Sequence, residues 1–118
     1  HHQREALAVS LEVVQENFRK FDLLDDQVRF IPGWFHETLF DAPVEALAVL
    51  RLDGDMYEST IVTLEALYDR VTPGGYVIID DYGYIESCRR AVHDFLDARG
   101  LKPELKVIDW TGVYWKKL

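Results

Sequence analysis

Two apolar, β-rich runs that each end in acidic residues constrain this chain most. Ala46–Leu52 reads Ala-Leu-Ala-Val-Leu-Arg-Leu and precedes the acidic turn Asp53–Asp55, while Tyr76–Ile79 precedes the pair Asp80–Asp81. Runs with so few charges are typical of strands buried on both faces of a parallel sheet. A helical pattern separates the two runs. We therefore predict that a right-handed crossover helix joins them as neighbouring strands.

Amphipathic helices are predicted around these runs. The first begins after Ser10, which can act as its N-cap, and carries apolar residues at helical spacing. The second follows the first acidic turn, where Asp55 and Glu58 have the spacing of a capping box. The third begins near Ile85 and ends at Gly100.

Shorter elements complete the predicted fold. Val28–Ile31 reads as a short strand, Trp34–Leu39 as a short helix and Thr72–Gly75 as a helix stop, and a tight turn near Thr111–Gly112 joins two C-terminal strands. Strands and helices alternate until that hairpin. The pattern predicts an α/β fold in one domain, residues 1–118, with a mostly parallel sheet and a C-terminal antiparallel hairpin.

Charge and cysteine content narrow the function classes. The chain has 21 Asp and Glu against 13 Lys and Arg, a net charge of -8, which disfavours nucleic acid and anionic membrane surfaces as partners. The single cysteine, Cys88, is compatible with a reducing compartment, and no apolar run is long enough to cross a bilayer. We expect a cytoplasmic protein. Because the chain opens with His1 rather than Met, we also expect that it is processed, tagged or cut from something longer.

The acids after the two strands are candidates for a metal site. Ligands of open α/β sheets bind outside the carboxyl ends of the strands, and neighbouring strand ends lie about 5 Å apart. Three carboxylate oxygens with water suit Mg²⁺, and Ca²⁺ or Mn²⁺ is chemically acceptable. The alternative is that Asp55 is a helix cap and that Asp80 and Asp81 are ordinary turn residues. Acids after two successive strands favour the site.

Other chemistry-bearing residues have simpler explanations. His36 and His93 have no partners at ligand spacing, and Cys88 lies on the apolar face of its predicted helix. Most of the tryptophans are expected to pack. No Ser-His-Asp arrangement and no Gly-x-Gly-x-x-Gly loop occurs in the sequence.

Several strings of the sequence together resemble the macrocin O-methyltransferase family. They extend through essentially the whole chain and are Ala8–Glu12, Val14–Phe18, Leu24–Phe30, Pro32–Phe35, Leu50–Thr60, Pro73–Gly75, Ile79–Tyr82 and Asp109–Trp115. The resemblance implies the Rossmann-like class I methyltransferase fold and dependence on S-adenosylmethionine and Mg²⁺. Many members methylate sugar hydroxyls of macrolides and related natural products, so the implied partner is a small glycosylated substrate.

The resemblance also implies roles for individual residues. Asp53, Asp80 and Asp81 match the three metal-binding aspartates, and Asp55 matches an aspartate proposed as general base. The turn Pro32–Trp34 matches the segment that borders the adenine of the cofactor. Gly33, Trp34 and Asp53 are thus the expected cofactor-binding residues.

One departure from the family is large. The family's sheet order is 3-2-1-4-5-7-6, and its glycine-containing first turn precedes the part that this sequence matches. The predicted strand Val28–Ile31 would then be separated from Ala46–Leu52 by a two-strand gap. Three explanations stand: the chain is part of a longer protein, another copy fills the gap in a homo-oligomer, or the strands have re-paired. The alternative function is a truncated, non-enzymatic module that binds a divalent metal or associates with itself.

Overall fold

The computed structural model describes residues 10–118. The chain divides into two compact units, His1–Pro32 and Gly33–Leu118, and each is considered by itself. Residues 1–9 lie outside the described part, so the opening His1 and the first residues of the string Ala8–Glu12 have no structural counterpart here. That the 118 residues form one domain stays a prediction.

The first unit contains the predicted N-terminal helix. Helix α1 spans Leu11–Lys20, and the Ser10 hydroxyl accepts a hydrogen bond from the Val13 amide at 3.2 Å, as an N-cap should. The predicted strand Val28–Ile31 is wrong, because these residues have no strand conformation. A strand needs a neighbour for its ladder, and residues 10–32 contain no other strand. The Phe30 ring instead packs on Phe18, with centroids 5.4 Å apart.

The second unit contains all the strands of the described chain. Its elements are α2 (Phe35–Thr38), β1 (Leu47–Leu52), α3 (Tyr57–Leu67), a 3₁₀ turn (Tyr68–Arg70), β2 (Val71–Ile79), α4 (Glu86–Ala98), β3 (Lys106–Val107) and β4 (Val113–Lys116). Both long helices and the short helix α2 occur where the periodicity predicts them.

The sheet has the order β1-β2-β4-β3. Strands β1 and β2 are parallel, and β4 is antiparallel to both of its neighbours. Three strands therefore share one direction and β4 alone is reversed, which confirms the α/β class with a C-terminal antiparallel hairpin. This order equals the 4-5-7-6 part of the family's sheet order. The described strands have not re-paired into a different sheet, so that explanation is excluded.

The core lies where the sheet meets α3 and α4. Trp115 at its centre is fully buried, and its indole N–H donates to the Tyr68 hydroxyl at 3.4 Å. The other buried apolar residues of this core are Leu50, Leu52, Leu64, Ala66, Leu67, Val71, Val77, Ile79, Cys88, Val92, Phe95, Leu96 and Val113. Cys88 is a core residue, as its position on the apolar helix face predicts.

Two details of the parallel pair differ from the prediction. Among the described residues, strand β1 is buried on one face only, since Leu50 and Leu52 are buried whereas Val49, directly before Leu50, is 49% exposed. The predicted helix stop Thr72–Gly75 lies inside β2, where the register shifts between Leu47 and Val49. Gly75 is required there, because a Cβ atom would lie 2.7 Å from the Ala48 carbonyl oxygen.

Candidate metal centre

Strands β1 and β2 deliver their acids to the same edge of the sheet. Leu52 and Ile79 are paired at the ends of the two parallel strands. The Asp80 amide then donates to the Leu52 carbonyl at 3.0 Å, so the pairing continues to the first acid. The residues that follow each strand are therefore neighbours, as the topology predicts.

Three carboxylates converge at this edge. One carboxylate oxygen from each of Asp53, Asp55 and Asp81 lies within 4.8 Å of the other two. Asp53 and Asp55 are exposed and Asp81 is half-buried. We call these three residues the carboxylate cluster. The structure thus brings together two of the predicted metal ligands and the predicted general base.

Asp81 is the member of the carboxylate cluster whose ionised form is destabilised by its surroundings. Its Oδ2 atom is buried and has no hydrogen-bond partner among the described residues. Burial raises the pKa of Asp81 to about 6, and the neighbouring carboxylates of Asp55 and then Asp53 add to the rise. A carboxylate that is buried beside two others without a donor lacks compensating positive charge.

Asp80 lies outside the carboxylate cluster. Its carboxylate forms an ion pair with the guanidinium of Arg51, whose Nη2 atom also lies 4.0 Å from Asp53 Oδ2. The predicted metal ligands are Asp53, Asp80 and Asp81. Within residues 10–118, the three carboxylates that converge are those of Asp53, Asp55 and Asp81. Arg51 was not among the predicted site residues. The sequence did contain a signal for Arg51, because it precedes Asp53 by two residues and alternate residues of an extended chain share a face.

The turn Asp53–Asp55 is held by the start of α3. The predicted capping box of Asp55 and Glu58 is wrong: the N-cap is Met56, and the Ser59 hydroxyl accepts from the Met56 amide at 3.2 Å. The Thr60 hydroxyl donates to the Gly54 carbonyl at 3.2 Å. Because Ser59 supplies the capping hydrogen bond, the Asp55 carboxylate belongs to the carboxylate cluster instead of the helix terminus.

The turn after β2 is held by three contacts. The Ile85 amide donates to the Asp81 carbonyl at 2.9 Å, and the Gly83 amide donates to the Thr111 carbonyl at 2.7 Å. The Tyr82 hydroxyl is hydrogen-bonded to His93 Nε2 at 2.5 Å. His93 is therefore an exposed residue on the surface of α4 with a polar partner on this turn.

Gly33 and Trp34 introduce α2, which contacts the first acidic turn. Trp34 is the half-exposed N-cap of α2, and Gly33 has φ 139°, a backbone region that favours glycine. The Phe35 ring lies 3.6 Å from the position that a Cβ atom of Gly54 would occupy. The predicted cofactor-binding residues Gly33 and Trp34 thus precede a helix that packs on the turn of the carboxylate cluster. Their binding role stays a prediction.

Comparison with known proteins decides the family. Residues 1–117 match the family described as Macrocin-O-methyltransferase (TylF). The chain belongs to this macrocin O-methyltransferase family. Its membership confirms the resemblance that the sequence strings indicate.

Relatives in the macrocin O-methyltransferase family are considerably longer. The chain is 55% identical over 116 residues to 8-demethyl-8-(2,3-dimethoxy-alpha-L-rhamnosyl)-tetracenomycin-C 4'-O-methyltransferase of Streptomyces olivaceus, covering 98% of this chain and 44% of that protein. It is 53% identical over 117 residues to demethyldecarbamoylnovobiocin O-methyltransferase of Streptomyces niveus, covering 99% of this chain and 45% of that protein. The chain therefore spans less than half the length of these curated relatives.

Solved structures of methyltransferases share the fold. The O-methyltransferase NovP matches with a TM-score of 0.94 and 53% identity, over 99% of this chain and 48% of that one. CalS11, a TDP-rhamnose 3'-O-methyltransferase of calicheamicin biosynthesis, matches with a TM-score of 0.67 at 21% identity, over 89% of this chain and 49% of that one, which supports the fold alone. None of the described helices combines the length and apolar character that a membrane span requires.

Proposed function

We propose that this chain carries the metal and acceptor side of an S-adenosylmethionine-dependent, Mg²⁺-dependent O-methyltransferase that acts on a sugar hydroxyl of a glycosylated natural product. Family membership supports methyl transfer, and the printed names of the relatives support a sugar acceptor. The observation that carries the proposal is the carboxylate cluster, in which the buried Oδ2 atom of Asp81 has no hydrogen-bond donor in the described part of the chain.

The donor set suits a hard cation. Carboxylate oxygens are the ligands that Mg²⁺ prefers, and a cation would supply the charge that the buried Asp81 oxygen lacks. Asp53, Asp80 and Asp81 are the proposed ligands, with Asp80 held beside them by Arg51. When bound, Mg²⁺ would act as a Lewis acid that lowers the pKa of a sugar hydroxyl and orients it.

Asp55 of the carboxylate cluster is the proposed proton acceptor in the methyl transfer. S-adenosylmethionine would supply the methyl group in this proposal, with Gly33, Trp34 and Asp53 as its proposed contacts in this chain. The hydroxyl oxygen of the sugar would form the new bond to the methyl carbon while the bond between that carbon and the sulfonium sulfur breaks, which leaves S-adenosylhomocysteine. The carboxylate of Asp55 would accept the proton that the hydroxyl releases. Asp55 is exposed and lies within the carboxylate cluster, so an acceptor hydroxyl can reach it from solvent.

Three further properties belong to the same proposal. The chain would be the C-terminal part of a single class I methyltransferase domain, would act in the cytoplasm and would associate with itself. The free, buried Cys88 supports a reducing compartment. Strand β1 is the outermost strand of the described sheet, and this position supports self-association, since an unpaired backbone edge is a template for another strand.

Thermal unfolding with and without Mg²⁺ tests the metal site. We expect Mg²⁺ to raise the Tm of the wild-type chain, because a ligand that binds only the folded state stabilises it by about 2.7 kcal/mol at 100 times its Kd. Asp81→Asn should abolish most of this rise, and Asp80→Asn should abolish it as well if Asp80 is a ligand. Asp109→Asn is the matched control at the same sheet edge and should keep the full rise.

Transfer of a labelled methyl group tests the reaction itself. The substrate would be S-adenosylmethionine with a sugar acceptor, and Asp55→Asn should lower kcat by about 10² or more if it is the base. An equal Mg²⁺ response in wild type and Asp81→Asn would refute the metal site. Retained Mg²⁺ binding without any methyl transfer would instead favour the non-enzymatic, metal-binding module.

A further inference from the structure

Two exposed aromatic side chains lie beside the carboxylate cluster. Tyr84 is 65% exposed and Trp110 is 76% exposed. Their rings form an edge-to-face contact, with centroids 5.5 Å apart and an interplanar angle of 88°. We call these two residues the aromatic pair. Exposed aromatic rings offer flat apolar surfaces on which another ring can stack.

The backbone that presents the aromatic pair is tightly built. The Gly83 amide donates to the Thr111 carbonyl at 2.7 Å, and a Cβ atom on Gly83 would lie only 2.5 Å from the Trp110 carbonyl oxygen. The Asp109 carboxylate accepts from the Thr111 amide at 2.9 Å and from the Gly112 amide at 2.7 Å. The turn after β2 and the β3–β4 turn therefore contact each other directly, which places the two residues of the aromatic pair side by side.

Both turns adjoin the acids. The Tyr84 amide donates to the Asp81 carbonyl at 3.3 Å, and the ends of such a four-residue turn lie within about 7 Å of each other. A Cβ atom on Gly112 would lie 3.7 Å from the Asp80 carbonyl oxygen. Strand β4 pairs with β2 on the side away from β1, so the β3–β4 turn lies about one strand spacing, 4.8 Å, beyond the end of β2. The aromatic pair thus borders the carboxylate cluster on its outer side.

The position and size of the aromatic pair favour a small ring system as its occupant. Two aromatic side chains offer at most about 500 Å² of surface, below the about 800 Å² that each partner buries in a stable protein interface. Building on the proposed function, we propose that the aromatic pair is the surface on which the aglycone of the glycoside acceptor stacks. With the sugar hydroxyl at the carboxylate cluster, a group attached to the sugar would reach Trp110 on the outer side of the cluster. Trp110 is therefore a specificity-determining residue for acceptors with a flat or fused ring beside the sugar.

Binding of two simple glycosides tests this role. The probes are phenyl α-L-rhamnoside, which carries an aromatic aglycone, and methyl α-L-rhamnoside, which does not, because one relative's name specifies an α-L-rhamnosyl acceptor. Titration of the full chain by calorimetry in Mg²⁺ should give tighter binding of the phenyl glycoside. Trp110→Ala should raise its Kd about tenfold with little effect on the methyl glycoside, and Trp110→Phe should retain most of the affinity.

An exposed aromatic residue at the opposite edge supplies the matched control. Phe40 is 51% exposed, and its carbonyl oxygen accepts a hydrogen bond from the guanidinium of Arg70. Arg70 comes directly before β2, so Phe40 lies near the start of this strand, whereas the acids follow its end. Phe40→Ala should leave both affinities unchanged. Equal phenyl rhamnoside affinity in wild type and Trp110→Ala, or no saturable binding by the wild type, would overturn the stacking role. A change of association state in Trp110→Ala would also overturn it, because the aromatic pair would then be an interface between copies.

The same samples separate this inference from the proposed function. Methyl transfer to the phenyl glycoside is measured in parallel with binding. Binding that depends on Trp110 without methyl transfer supports the stacking surface and counts against the enzyme. Methyl transfer whose KM for the acceptor is unchanged in Trp110→Ala supports the enzyme and counts against the stacking surface.

Discussion

Asp81 and Asp109 lie at the same edge of the sheet, yet their surroundings are opposite. Asp109 follows β3 and accepts hydrogen bonds from the Thr111 amide, the Thr111 hydroxyl and the Gly112 amide. These donors, with the Gly112 amide first, lower the pKa of Asp109. Asp81 follows β2 and has a buried oxygen without a donor beside two other carboxylates, and its pKa rises to about 6. One aspartate is stabilised by its turn and the other is not.

The difference separates a structural acid from a candidate ligand. An aspartate after a strand is common in turns, and Asp109 shows what that role looks like when its oxygens are satisfied. Asp81 is also an aspartate two residues after a strand, but none of the residues 10–118 donates a hydrogen bond to its buried oxygen. This contrast supports the proposed cation site at the carboxylate cluster, and three predictions test it.

The pH dependence of Mg²⁺ binding should be the largest effect. Mg²⁺ binds the ionised carboxylate, so below the pKa of Asp81, about 6, it must displace a proton. The apparent Kd should weaken by up to about tenfold for each pH unit between pH 6 and pH 5, and level off above pH 7. Calorimetric titration measures this dependence. Asp109→Asn should retain the profile, and a Kd that does not vary between pH 5 and pH 7 would contradict the assignment to Asp81.

Stability without metal should change in opposite directions for the two aspartates. Because the folded-state pKa of Asp81 is above its ordinary 3.8, the wild type loses stability as the pH rises from 3.8 to about 6. Asp81→Asn should therefore raise the free energy of unfolding by about 1 kcal/mol at pH 8, discounted for partial exposure, and by little at pH 3.5. Urea unfolding in a chelator measures both values.

Asp109 supplies the comparison in that experiment. Its folded-state pKa is lowered, so its stabilising contribution is present above its ordinary value and disappears as the pH falls through the folded value. Asp109→Asn should lower the Tm at pH 8, with a smaller loss at low pH. Destabilisation by both substitutions at pH 8 would mean that the two aspartates do not differ as described.

Replacement of Arg51 should have the smallest effect. Its ion pair with Asp80 is largely exposed and contributes about 0–1 kcal/mol to stability. Arg51→Met removes a positive charge that lies 4.0 Å from Asp53 Oδ2. Two unit charges at this distance interact by about 1 kcal/mol in water, so Mg²⁺ should bind severalfold more tightly without the competing guanidinium. Arg51→Lys keeps the charge and should bind Mg²⁺ as the wild type does. Weaker binding in Arg51→Met would show that Arg51 positions a ligand.

Much of the fold could be predicted from local pattern. The helix after Ser10, the two acid-ended strands and the C-terminal hairpin all follow from periodicity and turn residues, and the structure contains them. The strand predicted at Val28–Ile31 failed, because a strand exists only with a partner in its ladder. The helix stop predicted at Thr72–Gly75 became part of β2, because the register shift opposite Ala48 accommodates it.

By itself, the sequence determined that acids follow two neighbouring parallel strands, since burial, strand direction and crossover handedness leave few alternatives. Only the tertiary structure decided which of those acids converge and which one forms an ion pair. Arg51 pairs with Asp80, and Ser59 takes over the capping that would have occupied Asp55, so Asp55 joins Asp53 and Asp81. The physical reason is that charge pairing and burial act through space over a few ångströms, between residues that the chain order does not place together.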